Sequence, residues 1–352
     1  MQTIDNKIAS VFDVARLAGV SRGTVDRVIY GRGRVSDATR LKVEQAIESL
    51  NYSPNKNASH LATRSEYLFA CLIPMFKPGE YWEEMNNGLL DAVHSFSSAN
   101  ISVHIHHYNQ TDLDSFRKEC DSILEEQPAG VLMNAVFREE TMDFAKALES
   151  RGIPYAFVDN KINELDYTLY YGVDPDKSGA LGAWLLTWRD HPTDMALVRL
   201  VRDPGRHADP NRPRRHGFTD YLEDSHPGCR IHSVFIDPDN PEDTRRTLEG
   251  FFESHPEVHH VAMTNSRVYL LGEYLRSHPD PQRIVVGFDD LKSNLECLKE
   301  GTVDALVTRH IPLQAKDALT HFAECVIRRK RPEQRDHFVH MDILTRMNLD
   351  NY

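Results

Sequence analysis

The sequence predicts an α/β protein in two parts, a small all-helical head of helix-turn-helix type and a larger body of parallel sheets in two lobes. Three observations carry that prediction. At 352 residues the chain exceeds one typical domain. Residues 1–64 hold 10 Lys and Arg against 6 Asp and Glu, a net of +4, while the remainder holds 31 against 47, a net of −16. From Ser65 onward, short apolar runs alternate with helix-like segments. Charge needed only for solubility has no reason to be segregated in this way, whereas a phosphate-binding head does.

The head reads as three short helices. Ser10 with Asp13 three residues on is a capping pattern that satisfies free amides at a helix start. Val14, Leu17 and Ala18 then follow at helical spacing, and Gly19 can take the left-handed conformation that turns the chain. Ser21 caps a second helix running to about Ile29, with Val25, Val28 and Ile29 inward and Arg22, Gly23, Asp26 and Arg27 outward. A third begins after Ser36 and presents Val43, Ala46, Ile47 and Leu50. Two helices joined by a glycine turn, the second with a cationic face, have helix-turn-helix geometry; a three-helix bundle with a solvated charged face is the plainer alternative. Next comes a short segment with Ser53 as cap, Pro54 at the first helical position, and Ala58, Leu61 and Ala62. A helix this short is marginal alone and forms only against something else.

In the body, the runs YLFACLIP, VHIHHY, GVLMNAV, YAFVD, MALVRLV, HHVAMT and RIVVGFDD have strand length. Runs without polar alternation suit strands covered on both faces in a parallel sheet. LLDAVHSFSSA and MDFAKALESR read as intervening helices. The cycle occurs twice, before and after roughly Gly172, so two similar lobes are expected with a ligand cleft at the carboxyl ends of their strands.

Residues 11–62, VFDVARLAGVSRGTVDRVIYGRGRVSDATRLKVEQAIESLNYSPNKNASHLA, resemble without a gap the DNA-binding head and hinge of the lactose/galactose repressor family. The resemblance implies operator DNA as partner. It implies that Ser21, Arg22, Gly23 and Thr24, with Arg27 one turn later, face the bases, and that Arg32 and Arg34 meet phosphates. It also implies that Asn55, Ala58 and Leu61 belong to a hinge helix whose Leu61 wedges into the minor groove. Two residues depart from the pattern: Gly23 stands where a base-reading side chain is common, and Asp26 places a carboxylate on the recognition helix.

The order of elements from about Tyr67 to Leu349 resembles, more loosely, the type I periplasmic sugar-binding fold that serves this family as effector domain. The implied division is a head over 1–53, a hinge over 54–64 and an effector and dimerisation body over 65–352. Lobe 1 would take about 65–172 and 313–336, and lobe 2 about 173–310 and 337–352. Tyr81 and Trp82 fall where related proteins stack aromatics on a sugar face, although adjacent aromatics opening a helix also serve as core. Arg214 offers a fork of donors for vicinal hydroxyls or a carboxylate, with Arg215 beside it. Asn265 and Asp289 end strands and can point into a cleft, as can Asp159 at the end of YAFVD and His310 before an Ile-Pro step. The implied protein is a homodimer or tetramer that binds a small sugar, sugar acid or polyol.

Other chemistry finds little support. Hydrophobic residues at 40% and charged residues at 27% suit a globular protein, and no 18-residue apolar run could span a bilayer. The first residues lack a signal-peptide pattern, so the chain is expected to act in the cytoplasm. Cys71, Cys120, Cys229, Cys297 and Cys325 are widely spaced without a CxxC pair, which points to inert thiols. His104 and His106 share one face of a strand, and His255 and His259 flank a proline, but the sequence shows no convergent cysteine or carboxylate, so no metal is expected. GxGxxG opening a helix, GxxxxGK[ST], GxSxG and HExxH are missing, so neither cofactor nor catalysis is expected. A transport solute-binding protein would share the body but has no use for a basic head. An enzyme on a Rossmann-like sheet would need the missing glycine fingerprint.

Overall fold

The computed structural model describes residues 11–29, 35–50, 67–96, 100–200 and 211–352. The chain divides into two compact units, Met1–Ser65 and Glu66–Tyr352. Ser10, Arg32, Arg34 and the segment holding Asn55, Ala58 and Leu61 lie outside the described residues.

The first unit contains α1 (Val11–Ala18), α2 (Arg22–Ile29) and α3 (Asp37–Ser49). Gly19 ends α1 at φ +65°, a conformation that glycine adopts without a Cβ penalty. Ser21 Oγ accepts from the Thr24 amide at 3.3 Å and Ser36 Oγ from the Thr39 amide at 3.3 Å, so each serine satisfies a donor left open at a helix start. The core is Val14, Ala15, Ala18, Val25, Val43 and Ala46, with Val28, Ile47 and Leu50 packed against it. Leu17, which the sequence groups with Val14 and Ala18, is 56% exposed, and Ala15 takes the inward place. On an eight-residue helix the buried stripe is narrow, and small Ala15 lets the three helices approach closely.

The second unit holds two parallel sheets. The first contains β1 (Tyr67–Pro74), β2 (Ile101–Tyr108), β3 (Gly130–Met133), β4 (Tyr155–Val158), β5 (Tyr170–Gly172) and β11 (Asp336–Phe338), in the order β11-β5-β4-β3-β1-β2. The second contains β6 (Asp194–Leu200), β7 (Arg230–Ile236), β8 (His260–Met263), β9 (Ile284–Phe288), β10 (Ala305–Thr308) and β12 (Asp342–Leu344), in the order β12-β10-β9-β8-β6-β7. The two orders match strand for strand, except that β12 runs antiparallel to β10 whereas β11 is parallel to β5. The chain crosses between sheets after β5, after β10, and between β11 and β12.

Helices α4 (Tyr81–Ser95), α5 (Leu113–Glu126), α6 (Arg138–Ser150) and α12 (Ile311–Arg328) accompany the first sheet. Helices α7 (Pro175–Thr187), α8 (Arg212–Ser225), α9 (Pro241–Ser254), α10 (Tyr269–Ser277) and α11 (Lys292–Glu300) accompany the second. Apolar runs without alternation do mark strands buried on both faces. In the second sheet Ala196, Val198, Val261, Met263 and Val285 join one core, while their chain neighbours Met195, Leu197, Ala262 and Val286 join the other. Close approach of α7 and α8 is made possible by two glycines. A Cβ on Gly179 would lie 1.8 Å from the Arg214 carbonyl oxygen, and one on Gly217 would lie 2.0 Å from that of Asp176. That crossing fixes the first turn of α8, which carries Arg214.

Candidate functional site

Burying a charge is costly unless it is paired, so buried charges mark positions the fold has been built to hold. Among the described residues, the Asp, Glu, Lys and Arg residues that are buried as a whole are Asp159, Asp194, Arg214, Asp289 and Arg309. Asp194 sits apart, held by Arg230 and His232 at 2.9 and 2.8 Å. The other four belong to one locality at the carboxyl ends of the two sheets.

Asp159 follows β4 and Asp289 follows β9, the same position in the two sheets. Both have φ +68°, and the amide of each donates to the neighbouring strand, Asp159 to Tyr171 O and Asp289 to Val307 O, at 2.9 Å. A left-handed residue other than glycine is uncommon and concentrates at functional sites. Arg309, on the crossover after β10, donates from Nη1 to Asp159 Oδ1 and from Nε to Asp289 Oδ1 at 2.9 Å, joining one sheet to the other. Its guanidinium lies 4.7 Å from the centroid of the Tyr81 ring. Burial works against the Arg309 charge, but Asp289, Tyr81 and Asp159 outweigh it and hold that charge well above its ordinary range.

Around this bridge the wall is aromatic. Tyr81 donates to Asp159 Oδ1 at 2.8 Å, and burial raises its phenol well above the ordinary value. Trp82 meets Tyr81 edge-on at 5.0 Å, and both rings are buried. Arg214 rests on the Phe288 ring at 4.7 Å and donates from Nη1 to the Thr264 carbonyl at 3.0 Å. Burial, then the Arg309 charge, lowers its affinity for its proton. Two atoms at this locality are buried without a hydrogen-bond partner among the described residues, Asp289 Oδ2 and Arg214 Nε. One accepts and the other donates, as a hydroxyl-bearing ligand requires. At the rim, Arg267 donates to Glu80 Oε1 at 2.9 Å across the two lobes.

Of the residues singled out in the sequence, Tyr81, Trp82, Asp159, Arg214 and Asp289 come together here. Asn265 Oδ1 accepts from the Arg267 amide at 2.9 Å, in a local turn that precedes the rim arginine. His310 turns elsewhere: Nε2 pairs with Asp342 Oδ2 at 2.6 Å and its ring stacks on Tyr352. Its neighbour Arg309 takes the central place and was not singled out. Asn134, buried after β3 and 3.4 Å from Asp159 Oδ2, was also missed.

In the first unit, Ser21 is exposed just before α2, Gly23 and Arg27 are exposed on α2, and Thr24 is half-buried. Arg27 Nε donates to the Gly23 carbonyl at 3.0 Å, a bond within α2 that engages one of the five guanidinium donors. A Cβ on Gly23 would meet nothing within 4 Å, so this position is bare by choice of residue rather than by crowding. The side chains of Arg22 and Asp26 lie outside the described set.

Comparison with known proteins agrees with this division. The periplasmic binding protein domain family matches residues 69–325, and the lacI family of bacterial regulatory proteins matches residues 10–55. The crystal structure of a protein assigned as a LacI transcriptional regulator from Bacteroides fragilis is 33% identical. It covers 82% of this chain and 100% of its own, with a TM-score of 0.76. The chain belongs to the lacI family. A ribose operon repressor of Halalkalibacterium halodurans is 24% identical to this lacI-family regulator over 290 residues, 81% of each chain. The transcriptional regulator GalR of Escherichia coli is 53% identical over 58 residues, 16% of this chain and 17% of its own. The chain is therefore a DNA-binding transcription regulator rather than an enzyme. No described helix is long and apolar enough to cross a membrane.

One sequence expectation needs correction. His104 and His106 do meet carboxylates: His104 Nδ1 lies 3.0 Å from Glu126 Oε2, and His106 Nδ1 lies 3.0 Å from Glu119 Oε2. The sequence concealed this because the partners stand on α5, a different element from β2.

Proposed function

We propose that this regulator is a homodimeric repressor of the cytoplasm whose grip on operator DNA is set by a neutral sugar or polyol bound between the lobes. The observation that carries the ligand class is charge balance. Arg214 and Arg309 are matched by Asp159 and Asp289, so an uncharged ligand enters without stranding a buried charge, whereas a sugar acid adds one. Asp289 Oδ2 would accept from one hydroxyl and Arg214 Nε would donate to another, with Tyr81 and Trp82 against the apolar face of the ring. These atoms belong to both lobes, so ligand binds best to one degree of lobe closure, and that preference is the free energy available to change DNA affinity.

In this reading residues 1–53 are the head and 54–64 the hinge, with Ser21, Arg22, Thr24 and Arg27 toward the major groove and Arg32 and Arg34 toward phosphates. Asn55, Ala58 and Leu61 serve the hinge in the minor groove. The uneven charge of the chain and the likeness to repressors of the same family support it. A salt titration of the full chain on duplex DNA tests the reading. The logarithm of the binding constant should fall linearly with that of salt concentration, with a slope of about −0.9 per phosphate contact. Leu61→Ala should reduce DNA bending without altering sugar affinity. Binding that ignores salt, or bending unchanged by the substitution, contradicts it.

A further inference from the structure

Away from the cleft, on the edge strand β2, a second constellation has the chemistry of a metal centre. His104 and His106 stand two residues apart, so they share one face of the strand, and α5 returns across it with Glu119 and Glu126 seven residues apart, on one helix face. One donor atom from each of His104, His106 and Glu126 lies within 4.8 Å of the others.

The decisive feature is His106. Its side chain is 10% exposed, and Nδ1 is 3.0 Å from Glu119 Oε2, a carboxylate that can only accept. That bond places the ring proton on Nδ1 and leaves a lone pair on Nε2. Nε2 is buried without a hydrogen-bond partner among the described residues and sits 3.5 Å from Glu126 Oε2, itself an acceptor. Two lone pairs facing one another in a buried place repel unless something positive lies between them. A carboxylate orienting an imidazole whose other nitrogen is free is the arrangement that supports metal-bound histidine. The separations of 3.0 Å from His104 Nδ1 and 3.5 Å from His106 Nε2 to Glu126 Oε2 bracket the spacing of ~3.3 Å between donors of a tetrahedral ion with bonds of about 2.0–2.1 Å.

We propose that His104, His106 and Glu126 bind a divalent transition-metal ion, zinc by preference, with Glu119 as the positioning residue for His106. Two imidazoles and one carboxylate leave a fourth position for water, and His104, 55% exposed, gives the ion its entry. The bound ion ties α5 to the sheet edge in lobe 1. The other occupant that satisfies the facing lone pairs is a second proton on His106, shared between Glu119 and Glu126, and the experiment separates the two.

The untagged full chain, freed of metal, is titrated with zinc chloride by calorimetry and with cobalt chloride by visible absorption. One equivalent of zinc should bind, competed by cobalt with the d–d bands of a tetrahedral site. His104→Gln and Glu126→Gln each alter a solvent-reaching side chain that the fold can spare, and each should weaken zinc at least tenfold. Glu119→Gln should weaken it about 10–100-fold while leaving the cobalt band positions unchanged. Ring nitrogen shifts of His106 report its Nδ1–H tautomer and loss of the Nε2 lone pair to zinc. Equal zinc affinity in wild type, His104→Gln and Glu126→Gln would overturn the assignment, as would a His106 ring doubly protonated at neutral pH with zinc in excess.

Discussion

The two lobes offer the cleft the same carboxylate at the same place, yet they finish it differently. Asp159 and Asp289 share a left-handed turn and a backbone bond to the next strand. In lobe 1 both carboxylate oxygens are occupied, Oδ1 by Tyr81 and Arg309, Oδ2 by Asn134 and Asn160 at 3.4 and 3.1 Å. In lobe 2, Asp289 Oδ2 and Arg214 Nε have no hydrogen-bond partner among the described residues. The repeated fold thus supplies position, and the local neighbours decide role: lobe 1 gives a finished aromatic wall, and lobe 2 holds the open hydrogen-bonding positions.

The largest effect should come from the residue that joins the two. Replacing Arg309 with Leu strands two buried carboxylates, and the unfolding free energy measured in urea should fall by about 3–5 kcal/mol. A loss below about 1 kcal/mol would mean that the bridge is solvated rather than buried. Next, Asp289→Asn should weaken sugar binding about 10–100-fold, the worth of one charge-assisted hydrogen bond. Asp159→Asn should cost mainly stability, so the ratio of affinity lost to stability lost is larger at Asp289. Equal ratios by calorimetry and urea unfolding would erase the distinction between lobes.

The asymmetry was partly legible in the sequence. YAFVD and VGFDD both read as strand followed by acid, and the apolar runs located β1, β4 and β9 because those strands are covered on both faces. The strands β5, β7, β10, β11 and β12 went unread. β7 is an edge whose residues are half exposed, and the other four have three or four residues each, too short for a period to show. Arg309 was missed for a geometric reason: successive side chains at a strand end face opposite ways, and the Ile-Pro step drew attention to His310, one residue off. The finished environment of Asp159 was unreadable because Asn134 acts on it across 25 residues and Tyr81 across 78.

A smaller contrast concerns the asparagines that hold the acids. Asn294 Nδ2 donates to the carbonyls of Ser266, Phe288 and Asp289 at 2.9–3.1 Å, and its Oδ1 accepts from the Tyr269 amide at 3.0 Å. Asn134 makes longer contacts of 3.3–3.5 Å. Asn294→Leu should therefore cost about 1–3 kcal/mol by leaving buried groups unmade, and Asn134→Leu less. The reverse order in urea unfolding would show that donor distance does not rank these sites.

The smallest effect should appear on acidification. Burial lowers the His107 and His337 values below the ordinary one, and His321 adds to the effect at His337. The fold therefore favours the neutral form of both. Their contribution is fully present above about pH 6.5, the unfolded value, and is lost as pH falls from there toward the lower folded values. His337→Gln should flatten the fall of stability with acid; an unchanged slope would remove His337 as its source.

The central claim, that a charge-balanced cleft selects an uncharged polyhydroxy ligand, is tested most directly by calorimetry. Wild type and Arg214→Ala are titrated with a panel of neutral sugars and polyols beside the corresponding sugar acids and phosphates. The account predicts one-site binding of a neutral compound, weakened in the variant, with its acid bound more weakly. Preference for an acid or phosphate, or affinity for the neutral compound unchanged in Arg214→Ala, would contradict it.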